Sequence, residues 1–218
     1  MRIDYLGHAC FMVTGDSGKR AVFDPYEPGC FGGALRHAAP GVSAELVFVS
    51  HGHADHAAAG QVGGRPRVVD RPGAGKSGAA AWLGVRTFHD GSGGAERGGN
   101  VAYALKLDGV SFCHLGDLGH ALSRAQAGEI GPVDVLFAPV GGHFTVDGRG
   151  AVEAARALSP RVLVPMHFRT PQVDFPIATL EDFLKTSPWP AERKGSAAEF
   201  AAGALPTPTV VWVMEASR

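Results

Sequence analysis

Apolar positions in this chain fall in short runs, each closed by Gly, Pro, Asp or His, and the spacing alternates between a strand-like period of two and a helix-like period near 3.6. Residues 1–6, 10–14 and 20–23 read as strands, with Gly15-Asp16-Ser17-Gly18 as hairpin chemistry between the last two. Pro25 stops the third strand and leaves the Asp24 carboxylate at its end, where it reads equally as a functional group or a plain turn residue. Residues 31–39 carry one or two helical turns, 46–50 a strand, and the Ala-rich stretch 54–61 predicts a helix. Residues 67–69 follow as a strand. Further strands are predicted over 85–89, 100–107, 110–114, 133–138, 161–164 and 209–214, and helices over 121–127, 150–158 and 178–184. Strands recur in both halves with helices between them, and neither an internal repeat nor a linker interrupts the chain, so one α/β domain over residues 1–218 is expected.

Chemistry concentrates in Ser50-His51-Gly52-His53-Ala54-Asp55-His56, directly after an apolar strand. Imidazole and carboxylate together suit zinc first, then manganese or iron, and the absence of cysteine argues against a closed structural zinc site. A solvated turn is the weaker reading, because groups of this kind at a strand end repel and desolvate one another without a cation. His89-Asp90, Gly116-Asp117, the loop 139–147 with His143, and Pro165-Met166-His167 each place a further His or Asp at a strand terminus. The segment Gly73-Ala74-Gly75-Lys76-Ser77 imitates a phosphate-binding loop, but Asp70 stands where that motif needs its first glycine, and a glycine-rich connection is expected instead. The glycine-rich run 91–99 reads as a long flexible loop and a candidate substrate gate.

Composition narrows the partners. With 19% charged residues, a formal net charge of -1 and no Lys/Arg run, nucleic acid is a poor match and a small-molecule substrate a better one. The three cysteines form no C-x-x-C pair and read as reduced, buried thiols, which with no export signal and no apolar span points to the cytoplasm. Homo-oligomerisation stays open.

The order H-x-H-x-D-H, G-D, P-M-H, with Leu6-Gly7-His8-Ala9 and Asp24-Pro25 ahead of it, resembles the metallo-β-lactamase superfamily, in particular its predicted metal-dependent hydrolases resembling ascorbate-6-phosphate lactonase-like proteins. The resemblance implies a four-layer αβ/βα sandwich holding two divalent ions. It implies that His51 and His53 serve one ion, that Asp55, His56 and His167 serve the other, and that Asp117 bridges them. For the third ligand of the first ion it favours His89, upstream of the G-D motif; the strand pattern alone leaves His114 open, and His114 is then a pocket residue. His8 is expected to be structural or to support a ligand, as is Asp24, and His37 and His120 to lie at the surface. His143 reads equally as an ordinary loop residue and as one that contacts substrate or protonates a leaving group.

The expected activity is hydrolysis of an ester-like bond, a lactone or a phosphodiester, in a small anionic molecule by a metal-bridging hydroxide, with Asp55 and Asp117 aligning the water. A nucleotide or RNA phosphodiesterase, an iron-loaded redox variant, and a metal-loaded sensor without turnover are the alternatives. Specificity is expected in loops 91–100 and 141–147.

Overall fold

Through most of the first sheet successive side chains face different cores, and that alternation sets the layering. The computed structural model describes residues 1–217. Strands β1 (Arg2–Gly7), β2 (Cys10–Thr14), β3 (Arg20–Phe23), β4 (Leu46–Phe48) and β5 (Arg67–Val69) lie side by side in that order. The second sheet begins with β6 (Gly73–Ser77), β7 (Ala80–Phe88), β8 (Gly99–Leu107) and β9 (Val110–His114), and continues through β10 (Val135–Pro139) and β11 (Val162–Met166). Its far edge is β14 (Val210–Val213) and β12 (Ala191–Arg193), while β13 (Ala197–Glu199) returns to pair with β1. On β3 and β4, Ala21, Phe23, Leu46 and Phe48 enter the core between the sheets, whereas Val22 and Val47 enter a second cluster outside. Both faces are apolar, so both must be covered.

The inner core is aromatic. Phe11 and Phe23 of the first sheet lie 4.4 and 6.1 Å from Phe137 of the second, and Phe48 packs against Tyr103 and Trp82 at 5.1 and 5.7 Å. Helices α2 (Arg124–Ile130), α3 (Gly148–Leu158) and α4 (Leu180–Thr186) belong to the second sheet's side: α2 packs on β7 and α3, and α3 on β10 and α4. Each starts at a side-chain cap, Ser123, Asp147 and Thr179 in turn. Over the first sheet the outer layer is thinner. It consists of the single turn α1 (Cys30–Gly33), a 3-10 turn at Ala59–Gln61, and loops whose Tyr26, Leu35, Val62 and Val173 complete the second cluster. The fold is thus the expected αβ/βα sandwich in one domain-sized unit, with its first outer layer built mostly from turns.

Several local expectations change for physical reasons. The helix over 54–61 does not form, because its backbone is tied elsewhere: Ala58 N–H donates to Pro25 O at 2.7 Å and Ala54 O accepts from Glu27 N–H at 2.8 Å. Tertiary bonds outweigh alanine propensity there. The α1 turn is not a regular helix either, since Phe31 and Gly32 have φ of 52° and 67°. Residues 73–77 form an edge strand, not a connection, and its glycines have a use: a Cβ on Gly75 would come within 2.3 Å of the Trp82 ring that lies across it. Strands β12 and β13 carry no apolar alternation and exist by pairing with β14 and β1. Among the described residues no helix is long and apolar enough to cross a membrane.

Replacing Phe137, fully buried where the two sheets meet, should test how much the inner core contributes. Phe137→Ala is expected to lower unfolding free energy by about 3–5 kcal/mol in urea titrations followed by circular dichroism.

Candidate metal centre

Strand direction assembles the site. β1, β3 and β4 run one way within their sheet, as do β7, β9, β10 and β11 in theirs. His8 follows β1, Asp24 follows β3, and residues 50–56 follow β4 closely; His89 follows β7, Asp117 follows β9 and His167 follows β11. Side chains far apart in the chain therefore meet at one edge of the sandwich. Three of these residues hold left-handed backbone: His8 at φ 55°, Asp24 at 43° and His167 at 53°. For residues other than glycine this is unfavourable and persists only where the surroundings impose it. At His8 the carbonyl is gripped twice, by Tyr5 O–H at 2.9 Å and His167 N–H at 3.1 Å.

The centre of the cluster is the Asp117 carboxylate. Its Oδ2 lies 3.2 Å from His89 Nε2, 3.3 Å from both His56 Nε2 and His167 Nε2, and 3.8 Å from His51 Nε2. His56 Nε2 is also 3.4 Å from Asp55 Oδ2, and His51 Nε2 lies 3.0 Å from His53 Nδ1. Donor atoms therefore gather in overlapping groups: His51, His53 and His89; His51, His56 and Asp117; and Asp55, His56 and His167 together with His8. Asp55, His56, His89, Asp117 and His167 are buried, whereas His53 is exposed.

Behind the donors stands a layer that sets their tautomers. His56 Nδ1 faces Asp24 Oδ2 at 2.9 Å, so a proton there leaves Nε2 as a lone pair aimed inward. Asp24 also accepts the Ser50 N–H and O–H at 2.8 and 2.6 Å, and the Ser50 oxygen is 2.9 Å from His51 Nδ1. A relay from His51 through Ser50 to Asp24 thus presents His51 Nε2 to the cluster. His89 Nδ1–H donates to Phe144 O at 3.1 Å, and His8 Nε2 meets Asp55 Oδ2 at 3.1 Å. Gly116 makes room for this layer: it sits at φ 56°, and a Cβ would fall 2.4 Å from Asn100 Oδ1 and 2.5 Å from Ser50 Cβ. Asn100 Oδ1 in turn accepts the Asp117 N–H at 3.0 Å.

The cluster is electrostatically unfinished without a cation. Asp55 Oδ1, Asp117 Oδ1, His56 Nε2 and His167 Nδ1 are buried with no hydrogen-bond partner. Burial opposes charge on Asp117, yet His167 and His56 hold its carboxyl well below the ordinary range; burial equally opposes charge on His56, yet Asp117 and Asp55 raise its imidazole above the usual value. Burial and neighbouring His56 push His51 down to about 3, so it is a neutral lone-pair donor at neutral pH. The separations also suit an ion: two atoms sharing a tetrahedral zinc at about 2.0–2.1 Å stand about 3.3 Å apart. The residues present fit a bound divalent cation.

His114 does not join them. Its Nε2 donates across the sandwich to Ala9 O at 2.8 Å, its Nδ1 accepts the Gly116 N–H at 3.1 Å, and its ring stacks on Phe23 at 5.2 Å. Both nitrogens are engaged, and the residue ties the two sheets together below the cluster. His143 is exposed, with its ring edge-on to Phe144 at 4.4 Å, and it is Phe144 that lines the cavity above the donors. His37, expected at the surface, is buried beneath Gly7 and packs on Tyr26 at 5.9 Å. His120 Nε2 accepts the Phe88 N–H at 3.1 Å.

The cavity measures about 260 Å³, with His53, Asp55, His89, Asp117 and His167 on its floor and Phe31, Phe144, Phe175 and Arg97 on its walls. The two loops expected to carry specificity supply Arg97 and Phe144. Phe31 and Phe175 were not anticipated; Phe31 stands out in sequence only as an apolar residue before Gly32-Gly33. Ser50 and Asn100 were also missed, since nothing in a lone Ser or Asn signals that it orients a ligand.

A model of the β-lactamase superfamily domain matches residues 2–167. The UPF0173 metal-dependent hydrolase of Thermococcus kodakarensis is 32% identical over 200 residues, covering 78% of this chain and 85% of the relative. A solved hydrolase of the metallo-β-lactamase superfamily from Thermotoga maritima superposes with a TM-score of 0.80 at 37% identity, over 98% of this chain and 99% of its own. The metallo hydrolase Igni18 of Ignicoccus hospitalis shares the fold, with a TM-score of 0.61 at 22% identity over 85% and 89% of the two chains.

The contrast between the two candidate histidines is directly testable by elemental analysis of purified protein. His89→Ala is expected to lose bound metal, whereas His114→Ala should retain it while unfolding at lower urea, because Ala9 O is then buried without its donor. Asp24→Ala, which frees both His56 and the Ser50 relay, should weaken metal affinity by about 10–100-fold.

Proposed function

The chain belongs to the β-lactamase superfamily, and the curated relatives it matches are named metal-dependent hydrolases; from that premise we propose that it hydrolyses an ester-like bond, a lactone or a phosphodiester, in a small molecule, using two divalent ions. The observation that carries this reading is the ring of imidazole nitrogens around Asp117 Oδ2, with a second carboxylate, Asp55, within reach of the same His56. His51, His53 and His89 would hold one ion and Asp55, His56 and His167 the other, with Asp117 between them. Zinc suits imidazole and carboxylate donors best, and the similar Thermotoga maritima protein is named a Zn-dependent hydrolase.

Bound there, divalent ions supply Lewis acidity and lower the pKa of a coordinated water towards about 7. The rest is done by the chain. Asp55 Oδ1 and Asp117 Oδ1, the carboxylate oxygens left without partners, accept hydrogen bonds from the attacking water and hold it in line. His8 keeps Asp55 from rotating away through its 3.1 Å contact, and burial keeps His8 itself neutral by pushing it down to about 4. The Asp24 and Ser50 relay fixes the histidines so that little reorganisation accompanies the reaction. Phe31, Phe144 and Phe175 line the cavity above the floor with apolar surface. Three free, buried cysteines support a reducing compartment, consistent with the cytoplasm.

Asp55→Ala and His167→Ala are each expected to abolish turnover and metal loading together, measured by hydrolysis of a panel of lactones, phosphodiesters and thioesters alongside metal content. Full activity in either variant would sink the reading, and a well-loaded wild type that cleaves nothing in the panel would favour a metal-loaded sensor.

A further inference from the structure

Among the residues lining the cavity, Arg97 is the one side chain that always carries positive charge. Its backbone is held in place. The Asp90 carboxylate accepts the N–H groups of Ser92 and Gly94 at 2.8 Å each through one oxygen, and those of Glu96 and Arg97 at 3.0 and 2.8 Å through the other. The loop expected to be a flexible gate is instead wound around a single carboxylate. Asp90 directly follows His89, so the strand end that delivers a histidine to the cluster also positions the arginine beside it. From the other side, the Arg97 guanidinium lies 5.9 Å from the Phe144 ring centroid, and Phe144 O accepts the His89 Nδ1–H. Arg97 has one ionic partner, Glu96, at 3.5 Å and 60% exposed, a pair that water screens and an incoming anion can displace.

The rest of the wall is apolar. Phe175 meets Phe31 at 5.8 Å and Phe144 at 6.1 Å, both edge-to-face. Phe31 is 55% exposed, which no role in the core explains. At about 260 Å³ the cavity falls below the roughly 300–1,000 Å³ usual for drug-sized ligands, and among the described residues it offers no second Lys or Arg for a polyphosphate or a nucleic-acid backbone.

We infer that this cavity selects a small ester or lactone bearing an apolar body, seated against Phe31, Phe144 and Phe175, and a single carboxylate met by the Arg97 guanidinium. Arg97 determines specificity by touching the substrate's anionic end, away from the bond that breaks. The inference rests on the hydrolytic reading for its scissile bond but not for its binding contacts, and the two are tested separately.

Metal-loaded wild type, Arg97→Gln and Arg97→Lys are compared on two esters with the same leaving group, the monoanionic monophenyl succinate and the neutral phenyl butyrate. In parallel, calorimetry measures binding of 3-phenylpropionate and of the uncharged 3-phenylpropanol. The ratio of kcat/KM for the anionic over the neutral ester should fall by about 10–100-fold in Arg97→Gln, with a comparable loss of 3-phenylpropionate affinity, as expected for a charged hydrogen bond. Arg97→Lys should recover part of both, because it keeps charge but loses the two-pronged geometry. An unchanged ratio together with unchanged 3-phenylpropionate affinity in Arg97→Gln overturns the inference while leaving the hydrolytic reading intact. Loss of 3-phenylpropionate binding in a protein whose wild type cleaves neither ester supports the arginine's role and counts against the hydrolytic reading.

Discussion

A buried carboxylate ringed by imidazoles is the interaction on which the rest of this structure depends. Asp117 is almost fully buried, and so are Asp55 and Asp24 nearby. Removing several carboxylates from water is expensive unless positive charge goes with them. The groups placed directly against these carboxylates are histidines, which can serve as neutral ligands to a cation. A cation bound here would relieve the burial of the carboxylates, so its binding would also stabilise this edge of the sandwich.

That arrangement needs two sheets held in fixed relation. The donors come from the ends of strands in both, so a small shear between sheets would separate His51 and His56 from His89 and His167. The inner core resists shear with interlocked aromatics, and His114 adds a directional tie by donating to Ala9 O across the gap. Directly above, Gly116 permits the close approach of Asn100 and Ser50, which position Asp117 and His51. Core, tie and relay are stacked, each rigid enough to locate the next.

Chemistry and selectivity occupy adjoining but different parts of the chain. The floor of the cavity consists of groups that fit a cation; the walls come from separate loops. Several contacts join them. Phe144 lends its carbonyl to His89 and its ring to Arg97, Asp90 links the His89 strand end to the Arg97 loop, and the Phe175 ring stacks on His167 at 6.5 Å.

The sequence by itself determined most of the strand succession, because period-two alternation is a local pattern whose physical meaning travels with it, and the ordered motifs H-x-H-x-D-H, G-D and P-M-H carried the resemblance that implied the sandwich and the family. Loops 91–100 and 141–147, where it set its expectation of specificity, supply Arg97 and Phe144 to the cavity. The tertiary structure decided what local pattern cannot hold. It set His89 Nε2 beside Asp117 and engaged both nitrogens of His114 elsewhere, where the sequence favoured His89 and left His114 open. It turned His143 outward and set Phe144 over the donors, and it brought Phe31 and Phe175 from distant segments to the same wall. It dissolved the Ala-rich helix at 54–61, because the backbone of Ala54 and Ala58 bonded to Glu27 and Pro25 instead. The division follows from range: what depends on neighbours in the chain is legible in the chain, and what depends on which strand ends meet is decided only when they do.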